Sequence, residues 1–413
     1  MLIGYIGYYL CRGNLPASFG LLGKEFGYTN TQLGLIAFYS EVFYSIGKFV
    51  NGPLADKLGG KKFFLLGMMG AIVFNILFTF GSSLTYFIVI WCGARFFLSM
   101  GWGGLIKVIG SWYEPQRHGT IMGIISINFQ FGGVLASLFA GWLVSLGLGW
   151  KAIFLYPALV LTGILVWSAL ASKDSPEEVI SGTTFGKGTT EKKTVMKNNS
   201  DHGGWATVVY LMKLRMFQKL LIFSFFAHVL RSVFIFWTPK LLLDLGMGNS
   251  QAIYNSTLFP LLGVIGTVLL GWYTDRHVSN GDRARPMIYM LVGLVLTEIY
   301  LYYLTKQPQH ELLLIAIIIG LSGFFLFGPY SMSAGALSLD IAGHERAGTC
   351  TGILDGFGYI GGALGVGLGG KISDLYGWSG VFLVMTIFSL ISILAAWLLS
   401  RELRTHHSKN YSR

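Results

Sequence analysis

Apolar runs long enough to cross a membrane alternate with short polar connections along almost the whole chain. A helix needs about 20 predominantly apolar residues to span the hydrocarbon core. Runs of about this length fall at 2–22, 33–53, 63–81, 85–110, 120–146, 152–171, 216–243, 252–272, 287–305, 311–338, 348–370 and 379–400. The pattern predicts twelve transmembrane helices, six on each side of one long polar stretch at 172–215.

The composition agrees with a protein that crosses the membrane many times. Hydrophobic residues make up 53% of the chain and charged residues only 12%, whereas roughly a quarter of a soluble globular domain is charged. The mean hydropathy is +0.60. We therefore attribute the net charge of +11 to membrane topology, and we expect no nucleic-acid partner.

The polar stretch at 172–215 is rich in Lys, Ser, Thr and Gly and is interpreted as a cytoplasmic linker. It separates an N-terminal six-helix bundle at 1–171 from a C-terminal six-helix bundle at 216–400, which a tail at 401–413 follows. Twenty Lys and Arg residues lie on the side of the linker and both termini, and five lie on the other side. The positive-inside rule therefore places the linker and both termini in the cytoplasm. The compact external loops favour a bacterial inner membrane.

Two arginines within predicted spans are the first candidates for a binding site. A charged side chain at the centre of a bilayer costs at least about 2.5 kcal/mol, so it is retained where it faces a wet cavity or an anion. Arg12 precedes Asp56 by 44 residues, and Arg231 precedes Asp275 by the same interval; each aspartate ends a G-x-x-x-D turn. This repeat, at an offset of 219 residues, indicates two related halves that enclose a site at their interface.

Positive charges outnumber negative charges within the predicted spans. The basic residues there are Arg12, Lys48, Arg95, Lys107 and Arg231, and the acidic ones are Glu41, Glu298 and Asp355. We interpret Arg95 and Lys107 as groups that reach the membrane surface or cap helices. The positive surplus suits an anionic substrate.

The chain carries no pattern typical of an enzyme, a metal site or a cofactor site. Its three cysteines lie in apolar runs without paired spacing, which predicts neither disulfides nor zinc. The glycine-rich stretches lie inside spanning helices and lack the strand-then-helix context of a dinucleotide fingerprint. We expect a non-enzyme that needs no cofactor and no metal.

The segment GPLADKLGGKK at 52–62 closely resembles the loop signature that the major facilitator superfamily carries between helices two and three. The resemblance implies an all-α membrane protein of twelve helices in two pseudo-symmetric six-helix bundles, and we expect it to be a monomer. Asp56 can cap a helix end and pair with a basic neighbour. We therefore interpret Asp56 and its repeat counterpart Asp275 as a conformational latch.

A narrower resemblance points to the organophosphate:inorganic phosphate antiporter family. The motifs that carry it are Gly4-Tyr5, Tyr8-Tyr9-Leu10-x-Arg12-x-Asn14, Gly47-Lys48-Phe49, Gly101-Trp102, Trp112-x-x-Pro115, Leu230-Arg231, Trp237-x-Pro239 and Tyr359-Ile360-Gly361-Gly362. In that family two arginines, one each on helices one and seven, bind the phosphate; they correspond to Arg12 and Arg231. A guanidinium group suits this role because it binds phosphate bidentately and keeps its charge.

The resemblance also suggests residues that line the substrate cavity. A lysine of the family corresponds to Lys48, and its aromatic positions correspond to Tyr5, Tyr9, Tyr44 and Trp102. We add three further candidates for substrate binding: Gln130, His228 and Tyr359.

Two acidic residues are candidates for charge pairing or for proton coupling. Glu41 lies seven residues before Lys48, on the same helix face, and it either neutralises a neighbour or carries a coupling proton. Asp355 is expected to partner Arg231 or another base of the cavity.

The fifth span departs from the family pattern. Ile125 and Phe129 stand where the family has a tryptophan and a histidine, which disfavours glycerol 3-phosphate as the substrate. The resemblance implies a secondary active transporter that exchanges a phosphorylated small metabolite, a sugar phosphate or a three-carbon compound, for inorganic phosphate by alternating access. Two alternatives stay open: a proton-coupled symporter of organic anions, with Glu41 or Asp355 as proton carrier, and a transporter-like sensor of sugar phosphate.

Overall fold

The computed structural model describes residues 2–112, 118–173, 204–278 and 282–411, and these residues form helices joined by short connections, with no strand among them. The fifteen helices are α1 (Leu2–Leu10), α2 (Asn14–Phe26), α3 (Asn30–Leu58), α4 (Gly60–Phe78), α5 (Leu84–Leu98), α6 (Met100–Trp112), α7 (His118–Ser145), α8 (Trp150–Ala171), α9 (Gly204–Lys213), α10 (Arg215–Asp244), α11 (Asn249–Ser256), α12 (Leu258–His277), α13 (Ala284–Lys306), α14 (Leu312–Ala334) and α15 (Ala336–Tyr411). Most of the predicted linker at 172–215 lies outside the described residues.

The helices follow the predicted spans closely. Within the described ranges, nine stretches are long and apolar enough to cross a membrane. One of them, Gly348–Thr405, contains both the eleventh and the twelfth predicted span. The first predicted span is divided between α1 and α2, and the fifth corresponds to α7. The prediction of an all-α membrane protein is confirmed.

The first span is not the continuous helix that its apolar pattern predicts. It is interrupted at residues 11–13, between α1 and α2. There Asn75 of α4 donates from Nδ2 to the carbonyl oxygen of Cys11, at 3.3 Å, and accepts from Nδ2 of Asn14, at 2.6 Å. These buried amides satisfy polar groups that the break would otherwise leave unpaired in an apolar core. As a result, Arg12 lies in a turn inside the protein, directly before the N-terminus of α2.

Helix α15 contains two sharp bends. The backbone at Gly343 and at Gly377 adopts φ values of 73° and 70°, a region that residues with a Cβ rarely occupy. The bend at Gly377 separates the last two predicted spans, so that residues 344–376 and residues 378–411 run as distinct helical segments. This arrangement brings residues 355–359 to the centre of the molecule.

The helices of the first 171 residues form one group, and those of residues 204–411 form a second. The two groups contact each other at the end of the molecule that carries the α2–α3 connection, here called the closed end. The ring centroid of Phe19 on α2 lies 5.1 Å from that of Trp237 on α10. Ser250 of α11 donates to the carbonyl oxygen of Gly141 on α7, at 3.1 Å. Asp374 of α15 accepts hydrogen bonds from the start of α3. These contacts, each between a helix of the first group and a helix of the second, close this end.

Candidate functional site

A central cavity lies between the two groups of helices. Its wall is largely apolar, and most of its apolar residues come from α10, α11, α12 and α14. The charged residues of its wall are Arg12, Glu41, Arg95 and Arg231. A mostly apolar cavity with a few convergent charges is typical of a small-molecule site. The two arginines that the internal repeat singled out therefore line the same space.

Arg12 is oriented by two tyrosines from different helices. Its Nη1 donates to the phenol oxygen of Tyr44 on α3, at 3.0 Å, and its Nη2 donates to that of Tyr359 on α15, at 3.2 Å. The guanidinium carbon also lies 4.6 Å from the ring centroid of Tyr44, a distance at which the ring face attracts a cation. The guanidinium group of Arg12 is thus held in place by neutral groups, and its positive charge is available for an anion.

Arg231 lies on α10 with 9% of its surface exposed. Its guanidinium carbon lies 4.9 Å from the ring centroid of Tyr330 on α14, and its Nε has no hydrogen-bond partner among the described atoms. An ionised donor buried without an acceptor is unfavourable. Because Arg231 also lines the cavity, its guanidinium group can donate to a ligand there.

His228 lies one turn before Arg231 and links α10 to α14. Its Nδ1 lies 2.9 Å from the carbonyl oxygen of Ser224, and its Nε2 lies 3.1 Å from the phenol oxygen of Tyr330. Because a carbonyl can only accept, Nδ1 carries the proton and Nε2 accepts from Tyr330. His228 is thus oriented by its neighbours and holds Tyr330 against Arg231.

The predicted aromatic residues of the first and fourth spans form one cluster. The ring centroid of Tyr5 lies 5.5 Å from that of Tyr9 and 5.6 Å from that of Trp102. Tyr9 lines the cavity, and its ring centroid lies 5.4 Å from the guanidinium carbon of Arg12. Tyr5 therefore packs against both Tyr9 and Trp102, and neither Tyr5 nor Trp102 is among the residues that line the cavity.

Lys48 and Asp355 lie beside the tyrosines that hold Arg12. Lys48 Nζ lies 5.6 Å from the ring centroid of Tyr44 and 6.0 Å from that of Tyr359. Asp355 is half-buried and close enough to Lys48 for the two charges to interact. Among the described side chains Asp355 forms no ion pair with Arg231, so its expected partnership with that arginine is not seen.

Glu41 pairs with Arg95 of α5 rather than with Lys48. Glu41 Oε1 accepts a hydrogen bond from Arg95 Nη2, and the two side chains are 2% and 1% exposed. The interpretation of Arg95 as a group that reaches the membrane surface is wrong, because its side chain is buried beside the cavity. Its guanidinium carbon lies 4.4 Å from the ring centroid of Tyr44.

Asp275, one of the two proposed latch residues, is not among the residues that line the cavity. Asp275, at the end of α12, accepts a hydrogen bond from Arg283 Nη1 at 2.5 Å, and Arg283 Nε lies 3.2 Å from Asp340 Oδ2. Asp275 and Asp340 therefore share Arg283 in a small ion-pair network, and the latch role of Asp275 stays a prediction. The side chains of Asp56 and Gln130 lie outside the described part of the structure.

Two residues of the site were missed from sequence: Tyr330, and Arg95 as a member of the cavity wall. Tyr330 follows Gly328-Pro329 inside an otherwise apolar span. Its phenol group is a polar group within that span, and this made Tyr330 identifiable as a candidate. Arg95 lies within a predicted span, and a guanidinium buried there needs a counter-charge. That need was the signal that Arg95 has an acidic partner inside the protein. Within the described ranges, no group of three or more metal-ligating side chains occurs.

Comparisons with known proteins agree with this fold and this site. A family profile described as Major Facilitator Superfamily matches residues 1–276 and 220–413. The chain is 24% identical over 411 residues to a probable hexose phosphate transport protein of Chlamydia pneumoniae, covering 95% of this chain and 88% of that protein. It is 27% identical over 405 residues to a glycerol-3-phosphate transporter of Bacillus subtilis, covering 95% and 89%.

A solved structure has a similar fold. It is that of a bacterial homolog of the human lysosomal transporter Spinster in an inward-facing and unoccupied conformation. The two chains superpose with a TM-score of 0.75 at 16% identity, covering 98% of this chain and 95% of that one. At this identity the likeness concerns the fold alone. Because the family profile spans the sequence from end to end, the chain belongs to the Major Facilitator Superfamily.

Proposed function

We propose that this multi-pass membrane protein is a secondary carrier that exchanges a phosphorylated small metabolite for inorganic phosphate by alternating access. One observation carries the proposal: Arg12 and Arg231, which occupy matching positions in the two halves of the internal repeat, line the same central cavity. Two guanidinium groups that converge on one space suit a phosphate, which accepts bidentate hydrogen bonds. The relatives named as hexose phosphate and glycerol-3-phosphate transporters support this substrate class. A carrier moves its substrate without converting it chemically, so the protein is not an enzyme.

The charge balance of the site favours exchange over one-way transport. Four basic and two acidic side chains lie in or beside the cavity: Arg12, Lys48, Arg95, Arg231, Glu41 and Asp355. Their sum leaves two positive charges, and an empty site with this surplus resists reorientation through a region of low dielectric constant. A bound phosphate removes the surplus, so the carrier reorients when it holds either phosphate or the ester.

The break in the first span adds to the anion site. Helix α2 begins at Asn14, and no side chain caps its first turn. The free amides of a helix N-terminus favour a negative group nearby, and discontinuous membrane helices use this arrangement in other carriers. This contribution is limited, because the amide of Gly13 donates to the carbonyl oxygen of Tyr9 and Pro16 has no amide hydrogen.

The proposed membrane topology follows the distribution of positive charge. The linker and both termini lie in the cytoplasm, the closed end faces outward, and the chain acts as a monomer in a bacterial inner membrane. Transport then requires the contacts of the closed end to open. Accessibility of cysteines introduced at the exposed Lys24 and Lys213 to a membrane-impermeant reagent tests this topology in intact cells.

Exchange is tested in proteoliposomes. Uptake of labelled phosphate is measured into vesicles loaded with phosphate and into empty vesicles. The proposal expects uptake that needs internal phosphate and that persists when a protonophore is added. Uptake that is independent of internal phosphate and collapses with the protonophore would instead favour a proton-coupled symporter, in which half-buried Asp355 beside Lys48 becomes the candidate proton carrier.

A further inference from the structure

The buried Glu41–Arg95 ion pair has no role in the phosphate clamp described above. It joins α3 to α5, and both of its residues contribute to the cavity wall. Burying two charges in this way is unfavourable unless the geometry and the surrounding hydrogen bonds offset the desolvation. Here they offset it only in part, because Arg95 Nε has no acceptor among the described atoms. Because Arg95 Nε is itself enclosed, a ligand would contact the pair through those of its atoms that line the cavity.

The position of the pair relative to Arg12 is fixed by a shared tyrosine. The guanidinium carbons of Arg12 and Arg95 lie 4.6 and 4.4 Å from the ring centroid of Tyr44 and are therefore no more than 9.0 Å apart. A phosphate bound at Arg12 would place the organic part of a small ester within reach of Glu41 and Arg95. The pair is thus situated to contact the part of the substrate that the phosphate clamp does not hold.

The charge of the site indicates what kind of organic part this is. A phosphate monoester carries close to two negative charges at neutral pH, which matches the two surplus positive charges of the site. A carboxylate on the organic part would exceed this surplus and leave the occupied site with a net negative charge. In a region of low dielectric constant an uncompensated charge is unfavourable. An uncharged organic part with hydroxyl groups meets no such penalty.

We propose that Glu41 and Arg95 form the subsite that recognises hydroxyl groups on the organic part of the substrate. The Glu41 carboxylate accepts hydrogen bonds from hydroxyl groups, and the Arg95 guanidinium donates to their oxygen atoms. The substrate class is then a phosphate ester of an uncharged, polyhydroxylated carbon chain, and phosphorylated carboxylic acids are disfavoured. This inference rests on the proposed function, because the clamp at Arg12 must hold the phosphate.

Competition against phosphate exchange tests the subsite in the unmodified protein. Phosphate-loaded proteoliposomes take up labelled phosphate in the presence of a hexose 6-phosphate or of 3-phosphoglycerate. The expected result is that the phosphorylated acid requires at least a tenfold higher concentration for half-inhibition. Equal inhibition by the two compounds would overturn the inference while leaving the exchange function intact. Absence of phosphate exchange in this protein would instead contradict the proposed function.

Variants separate recognition from positioning. In the double variant Glu41→Gln, Arg95→Gln, the ratio of the half-inhibitory concentration of hexose 6-phosphate to the KM for phosphate is expected to rise at least tenfold. A positioning role through Tyr44 would weaken both ligands in parallel and leave this ratio unchanged, which would overturn the inference. The charge-swapped variant Glu41→Arg, Arg95→Glu keeps an ion pair and the net charge. The charge-swapped variant is expected to raise the same ratio. It replaces the double amide variant in this test if that variant fails to fold.

Glu298 provides a matched control. It is a fully buried carboxyl group on α13 and does not line the cavity. Glu298→Gln removes a buried membrane carboxyl group without touching the subsite, so the ratio is expected to stay within twofold of its original value. A tenfold rise in this control would show that any buried carboxyl group affects selectivity and would overturn the assignment to Glu41.

Discussion

The guanidinium group of Arg12 donates a hydrogen bond to Tyr359, a residue 347 positions away in the chain, at 3.2 Å. A second hydrogen bond joins Arg12 to Tyr44. Arg12 belongs to the first span, Tyr44 to α3 and Tyr359 to α15, so one side chain connects helices from both groups. A ligand that draws Arg12 toward the centre of the cavity therefore alters contacts between the groups, which is how substrate binding can favour reorientation.

Replacing either clamp arginine by lysine is expected to impair exchange although the charge is kept. Arg12→Lys or Arg231→Lys removes the planar fork, and a lysine ammonium group cannot make the bidentate contact. Loss of a charged hydrogen bond of about 1.5 to 3 kcal/mol lowers kcat/KM for phosphate exchange by roughly 10- to 150-fold. Arg276→Lys, on an exposed arginine at the end of α12, is the control. Near-normal exchange in both clamp variants would rule out the clamp.

The two tyrosines that hold Arg12 are expected to make coupled contributions to phosphate binding. Tyr359→Phe and Tyr44→Phe each remove one neutral hydrogen-bond acceptor and keep the ring. Because the guanidinium donor is ionised, each of these hydrogen bonds contributes about 1.5 to 3 kcal/mol, so each variant should raise the KM for phosphate by roughly 10- to 150-fold. Since both phenols contact the same guanidinium, the double variant should deviate from additivity. Strict additivity in transport assays would indicate that the two tyrosines act independently of Arg12.

The break in the first span is expected to depend on Asn75. Asn75→Ala removes the donor to Cys11 and the acceptor for Asn14, and each unpaired buried polar group costs about 1 to 3 kcal/mol. The apparent Tm of the purified protein should fall clearly, and phosphate binding should weaken because Arg12 loses its support. Asn255→Ala serves as the control, because the Asn255 side chain donates to Met247 and Gln251, which are close to it in the chain and are not part of the break. Equal Tm values for the two variants would contradict this role of Asn75.

Much of the architecture could be predicted from hydrophobic runs, because membrane spans need long apolar segments whatever their neighbours are. Arg12 and Arg231 were found for the same reason, since a charge within such a segment needs a special environment. The pairing of Glu41 with Arg95 could not be predicted, because it depends on how α3 and α5 are rotated against each other. The interruption next to Arg12 was equally hidden, because the amide that stabilises it belongs to a different helix.

The closed end is expected to be stabilised by Asp374. Its carboxylate accepts hydrogen bonds from the backbone amides of Asn30 and Thr31, at 3.1 and 2.7 Å, and from the hydroxyl group of Thr31. The residue therefore caps α3 from the opposite group of helices. Asp374→Ala removes a cap of about 0.5 to 2 kcal/mol, so the equilibrium should shift toward states in which this end is open.

Distances between spin labels measure this shift directly. Labels at the exposed Lys24 and Tyr376, in a background in which the three native cysteines are replaced, report the separation of the two groups at the closed end. Asp374→Ala should increase the population at long distance. Glu311→Ala is the control, because Glu311 precedes α14 without making a side-chain cap. An unchanged distance distribution in Asp374→Ala would mean that the apolar contacts between Phe19 and Trp237 close this end without help from the carboxylate.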